Sequence, residues 1–351
     1  MRDPYWDIVK GLGIIAVVTA HAELLAMEIN WFHLELFFFV SGFLLNAEKC
    51  MDYQTFFLHK LNTLWKPFVF YNIIFFVLHD FFICINWIAT ENFNGIIMLS
   101  QWIKLYDLPK HIAASIFKGN TDIMCGPTWF MAPFLSNILL FGFLVKVAYK
   151  KSVYYLPLSI ILLFIVGTAI VKHSPGMKMY IDMAMMLLPI TAAGFYLKEF
   201  SKKKKLHVTE IFPKRTYIGI LIISLAVLGF LEYKQTVLYL SGYGMGNWFT
   251  FLVAAFSGIF MTLFVAKFAL YIDLVKKVLA FIGKESFHIM ALHFVGFKVL
   301  TTLYVIFLGL DFHLMAYYHL TQVPSYIYII FGIGIPLLLR KAYNLIKRRL
   351  I

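Results

Sequence analysis

The chain has 351 residues, 61% of them hydrophobic and only 14% charged, with a formal net charge of +13 at pH 7. A soluble domain carries about 25% charged residues, so the composition excludes an ordinary water-soluble globule. In a soluble protein the positive charge would suggest nucleic acid; here its distribution between apolar runs assigns it to membrane topology, and no nucleic-acid partner is expected.

Ten apolar runs are read as membrane spans, at residues 8–26, 32–46, 66–88, 127–146, 153–172, 179–197, 216–233, 248–267, 285–308 and 325–343. The first carries Lys10 and His21. Eleven helical steps of about 100° bring the two side chains to within about 20° of one face, about 16 Å apart along the axis. Titratable groups are costly in hydrocarbon, so a pair on one stripe marks a functional site. The plainer alternative is a snorkelling lysine and a histidine bonded to a neighbouring helix. Gly11 and Gly13 let a ligand or a second helix approach closely. Asp3 and Asp7 precede the run, so it reads as a retained span and not a cleaved signal peptide.

The second run begins Trp31-Phe-His33-Leu-Glu35. In an antiparallel hairpin with the first, Glu35 falls at the depth of His21 and His33 slightly further out. A carboxylate facing an imidazole holds its tautomer and raises its basicity, as a general base requires. The alternative is that Glu35 and His33 pair with each other or with water.

Residues 89–126 form the longest stretch between spans and include Trp102, Tyr106, His111 and Asp122; part of it is expected to lie as an amphipathic helix in the interface. Gly126-Pro-Thr-Trp129-Phe130 opens the fourth span, where a tryptophan also serves as an interfacial anchor. The Lys202–Lys205 run reads as a cytoplasmic topology signal for anionic lipid. Late in the chain, Gly283-Lys284-Glu285-Ser286 leads to His288 and His293; Ser286 and His293 share a helix face, and His288 does not share it with His293. A lone intramembrane histidine such as His288 is most often a structural hydrogen-bonder.

With the N-terminus in the cytoplasm, inner segments hold 24 Lys/Arg and outer loops 6, with Lys298 inside the ninth span. That bias places both termini in the cytoplasm. The expectation is an all-α polytopic integral membrane protein of about ten transmembrane helices, a single membrane domain over 1–351. Cys50, Cys84 and Cys125 form no C-x-x-C motif, and no disulfide is expected. No histidine spacing matches a metal motif, so no metal is expected.

These blocks together resemble the acyltransferase 3 family of integral membrane acyltransferases. The resemblance rests on Lys10 and His21, ten residues intervening, preceded by Asp7. It also rests on Phe32-His33 through Ser41-Gly42, on Trp129-Phe130, and on Gly283-Lys284-Glu285-Ser286 to His293. Lysine stands at position 10 where arginine is commoner, and it cannot form arginine's two-pronged fork. Glu35 stands where many members have proline.

The resemblance implies transfer of an acyl group, acetyl being commonest, from cytosolic acyl-coenzyme A to a hydroxyl of an extracytoplasmic glycan or lipid-linked saccharide. Acyl-coenzyme A is then a donor substrate, with no permanently bound cofactor, and membrane lipids are the remaining partners. His21 is the base or acyl carrier, with Glu35 or His33 orienting it. Lys10 and Asp7 hold the donor's phosphates, Ser286 and His293 line its path, and Trp129 and Phe130 meet the acceptor. The implied location is a bacterial plasma membrane, multi-pass, like stand-alone members that complete the transfer or hand it to a partner protein. Two rivals remain. One is a saccharide transporter or flippase, although neither repeats nor interrupted helices are evident in the sequence. The other is an anchor or sensor that has lost the chemistry, against which the retained Lys10 and His21 argue.

Overall fold

The computed structural model describes residues 3–91, 98–148, 151, 154–211 and 213–350. Arg2 and Lys150, two of the cations counted above, lie outside them. Helices make up 79% of the chain and no sheet forms among the described residues. The fold class is all-α and polytopic, as lipid demands, since a helix satisfies its backbone hydrogen bonds within one segment.

In chain order the principal helices are α1 (Pro4–His21), α2 (His33–Leu44), α3 (Lys66–Cys84), α4 (Leu108–Lys118), α5 (Met131–Ala148), α6 (Tyr155–His173) and α7 (Ile181–Met186). There follow α8 (Leu188–Lys204), α9 (Lys214–Tyr233), α10 (Trp248–Ala269), α11 (Asp273–Lys284), α12 (Ser286–Leu308) and α13 (Ser325–Leu350).

Among the described residues seven helices are long and apolar enough to cross a membrane, or eight if one bent pair counts as a single span. The expected ten differ from this at the beginning of the chain. α1 loses apolarity to Asp7 and Lys10, and α2 has only 12 residues, about 18 Å against a core of about 30 Å. The bent pair is the expected sixth span, whose segments 178–186 and 188–204 meet at 59°. Pro189, near the start of α8, has no N–H to continue the ladder. Asn137 of α5 bridges the break: its Nδ2 donates to the Ala184 carbonyl at 2.8 Å, and its Oδ1 accepts from the Thr191 hydroxyl at 2.6 Å.

By internal contacts the chain divides into two compact units. The first comprises residues 1–13, 27–66 and 130–283, the second 14–26, 67–129 and 284–351. In the first, α2 packs on α8 through reciprocal glycines: Gly42 faces the Thr191 carbonyl and Gly194 the Phe39 carbonyl, leaving no room for a Cβ. The start of α1 meets α11 in the same way, Gly11 against the Leu279 carbonyl and Gly283 against the Asp7 carbonyl. Close approach through small residues is how membrane helices associate without a hydrophobic drive. Gly11 therefore admits a helix.

The second unit joins α12 to α13 and to the end of α1, with Gly332 packed on Val18 and Phe297. Lys298 of α12 is fully buried. Its Nζ donates to the carbonyls of Met315 at 2.8 Å and Tyr317 at 3.0 Å, which fixes the loop between α12 and α13.

Candidate active site

α1 ends at His21 through two backbone bonds, Glu23 N–H to the Ala20 carbonyl at 3.1 Å and Leu24 N–H to the Thr19 carbonyl at 3.2 Å. This Schellman closure turns the chain sharply and leaves the His21 side chain at the helix end, in the second unit. Its ring lies 5.1 Å from that of His293, tilted by 38°, and meets the Phe294 ring edge-on at 5.1 Å.

His293 is fully buried on α12. Its Nδ1 faces the carbonyls of Ile289 at 3.1 Å and Met290 at 2.9 Å. Carbonyls only accept, so Nδ1 carries the proton and Nε2 presents a lone pair. That Nε2 is buried with no hydrogen-bond partner among the described residues. Two imidazoles thus stand together, one with its tautomer set by the backbone. The sequence placed both residues at the site but gave His293 a place on the donor path, not a place against His21.

Other expected residues fall as follows. Ser286 is half-buried at the first position of α12. His288 faces the Tyr71 hydroxyl at 2.6 Å through Nδ1, a tie between α12 and α3. Trp129 closes the 3₁₀ turn Ile123–Phe130 and is half-buried.

In the first unit, Lys10 Nζ lies 2.7 Å from Asp7 Oδ1, and the Asp7 side chain is only 2% exposed. One of the three ammonium protons is therefore engaged, and two remain for a ligand. Phe130 is 5% exposed and packs on Phe37 at 5.9 Å and Phe134 at 5.7 Å. It is a core ring there, not an open face for an acceptor. His33 commits Nδ1 to the Ile29 carbonyl at 2.8 Å. Glu35 is fully buried and neither carboxylate oxygen has a hydrogen-bond partner among the described residues. Within the first unit, no bond joins Glu35 to His33.

A buried polar network escaped the sequence reading. His79 Nδ1 lies 2.6 Å from Asp122 Oδ2, and His79 Nε2 donates to the Gln101 carbonyl at 3.1 Å. Asp122 Oδ1 accepts the Met124 N–H at 2.8 Å, and Asn72 Oδ1 accepts the Asp122 N–H at 3.1 Å. Asn72 Nδ2 donates to the Thr128 hydroxyl at 3.3 Å. The network fixes the 122–130 turn, and at Gly126 that turn lies against the Phe294 ring which also meets His21. Asn72 and His79 are seven apart on one face of an apolar helix, and that spacing was the available signal. Among the described residues, no three His, Cys, Asp or Glu converge as a metal site would require.

Comparison with known proteins gives one positive finding. The family model described as an acyltransferase domain, acyltransferase 3, matches residues 3–346. No curated protein and no solved structure matches the chain.

Proposed function

The chain belongs to the acyltransferase 3 family, whose domain spans residues 3–346, and for this helical membrane acyltransferase we propose transfer of an acetyl group from cytosolic acetyl-coenzyme A to a hydroxyl of an extracytoplasmic saccharide. The observation that supports this reading is the contact of His21 with His293. In the reacting complex the His21 ring, 5.1 Å from that of His293, turns to donate its N–H to His293 Nε2, and its second nitrogen then serves as the base. The acceptor O–H gives its proton to that nitrogen as its oxygen attacks the thioester carbonyl. The C–S bond then breaks, and the departing thiolate takes the proton from the imidazolium. Charge and protons balance, with one ester and one free coenzyme A formed. If the acyl group passes through His21 first, the same nitrogen carries it.

Lys10 holds a donor phosphate with its two free protons while Asp7 fixes its position. Glu35 and His33 have no assigned step.

A second reading, saccharide transport without chemistry, gains support from the 59° break between α7 and α8, since interrupted helices line transporter sites. Yet Asn137 caps the carbonyl that the break frees, which suits a fixed bend better than an ion site.

Purified protein in liposomes, given labelled acetyl-coenzyme A, separates the two. Acetyl transfer with release of coenzyme A, lowered about 10²–10⁴-fold in a folded His21→Ala variant, supports the acyltransferase. Undiminished turnover in that variant removes His21 from the mechanism. Saccharide flux with no coenzyme A release favours transport.

A further inference from the structure

The turn that ends α1 has a residue choice its geometry does not favour. In a Schellman closure the residue with positive φ is usually glycine, because a Cβ there crowds the backbone. Here it is Glu23, at φ 58°, and Leu25 two positions later is at φ 49°. Lys205 and Gln235 close two other helices in the same way, so the turn itself is structural; what sets Glu23 apart is a carboxylate held two residues beyond His21.

The Glu23 carboxylate is not consumed by a structural bond. Its side chain is 43% exposed, and its nearest ionisable partner, His319 Nδ1, lies 3.6 Å from Oε2, longer than a hydrogen bond. His319 is itself fixed from behind. Its side chain is 7% exposed, its Nε2 lies 3.3 Å from the Ser325 hydroxyl, and its ring sits 4.6 Å from that of Tyr328. The neighbouring Tyr318 meets the Phe294 ring edge-on at 5.2 Å, and Phe294 is the ring that also meets His21. The loop that carries Tyr318 and His319 is set by Lys298 through the Met315 and Tyr317 carbonyls. All of these residues belong to the second unit.

We infer that Glu23, with His319 beside it and Tyr318 next to His319 in the chain, binds the hydroxyl-acceptor substrate, a saccharide with a vicinal diol. A carboxylate accepts from two adjacent hydroxyls at once. An aromatic ring meets the C–H face of a sugar. Lodged there, the sugar presents its next hydroxyl to His21. The inference rests on the acyl-transfer reading for that last step only. A purely structural Glu23 makes the opposite prediction, because glycine at the same position relieves the backbone and loses nothing.

The test uses the purified full chain in lipid nanodiscs, as wild type, Glu23→Gly and Glu23→Gln. Binding of the methyl glycosides of glucose, galactose and N-acetylglucosamine is titrated, with glucoside analogues deoxygenated to remove the vicinal diols as controls. Thermal unfolding and coenzyme A release from acetyl-coenzyme A are followed in the same samples.

The expected result is that wild type binds at least one glycoside and binds its diol-free analogue about tenfold more weakly. Both variants bind the glycoside about tenfold more weakly than wild type, while the midpoint of Glu23→Gly equals or exceeds that of wild type. Glu23→Gln keeps the strained backbone and removes only the charge, so it carries the test if the glycine variant folds poorly. Unchanged glycoside affinity in the variants, or no glycoside binding by wild type, overturns the inference. Glu23-dependent binding without any coenzyme A release leaves this site standing and defeats the acyl-transfer reading instead.

Discussion

A buried polar atom with no partner costs about 1–3 kcal/mol, and His293 Nε2 is one. His293→Leu removes that atom and leaves the Ile289 and Met290 carbonyls in a helix that can satisfy them, so stability should change by less than about 1 kcal/mol. Turnover should fall by about tenfold or more, because during transfer His21 loses the acceptor for its N–H. Thermal unfolding measured beside coenzyme A release checks both, and equal losses in the two would reduce His293 to a packing residue. Lys10 and His21 stood out in the sequence because helical spacing puts the two titratable groups on one face, while Asp7 and His293 took their expected places from the family resemblance. The pairing of His21 with His293 was not legible: His293 lies 272 positions from His21, and periodicity within one helix says nothing of the helix opposite. Glu23 escaped for a different reason. Backbone φ at a helix end is invisible until the closing bonds are known, although a helix stop with no glycine was a usable hint. Glu35 and His33 do not bond to each other, and spacing in a helix says nothing about which way a side chain turns.

At the scale of elements, two contacts decide whether the first unit assembles. The Asp7 carbonyl occupies the space a Cβ on Gly283 would need. Gly283→Val should force α1 and α11 apart at a cost of about 1–3 kcal/mol, and should disturb Lys10, which hangs from the same turn as Asp7. The readout is the unfolding midpoint together with the KM for acetyl-coenzyme A; a midpoint equal to wild type would mean that the two helices do not need this crossing. At the α7–α8 break, Asn137→Ala strands the Ala184 carbonyl and leaves the Thr191 hydroxyl only the Leu187 carbonyl at 3.5 Å, and about 1–3 kcal/mol should be lost. Most helices were legible as apolar runs, since lipid leaves few other options for a spanning segment. The break was not, because hydropathy runs unbroken through Met186, Leu187 and Leu188. Only Pro189 carried the signal, and near a helix start proline is equally at home.

Across the whole molecule, α1 and α2 stand apart, because they fall short of the length or the apolarity expected of a span. With the bent α7–α8 pair counted once, eight other spans remain, and the termini then share one side whether the α1–α2 hairpin crosses the bilayer or dips in and returns. The charge bias is therefore unaffected by that choice, with 24 cations on one side and 6 on the other. The position of the active site is not. If the hairpin crosses, His21 and Glu23 reach the outer face and can meet an external saccharide. If it re-enters, both face the cytoplasm. Single cysteines in a Cys84→Ser background decide between these, since Cys84 is exposed while Cys50 and Cys125 are buried. Leu24→Cys and Lys234→Cys should react with a membrane-impermeant maleimide in intact cells, and Lys203→Cys only after permeabilisation. Labelling of Leu24→Cys only after permeabilisation would place the hairpin on the cytoplasmic side, and an acceptor within reach of His21 would then have to be cytosolic as well.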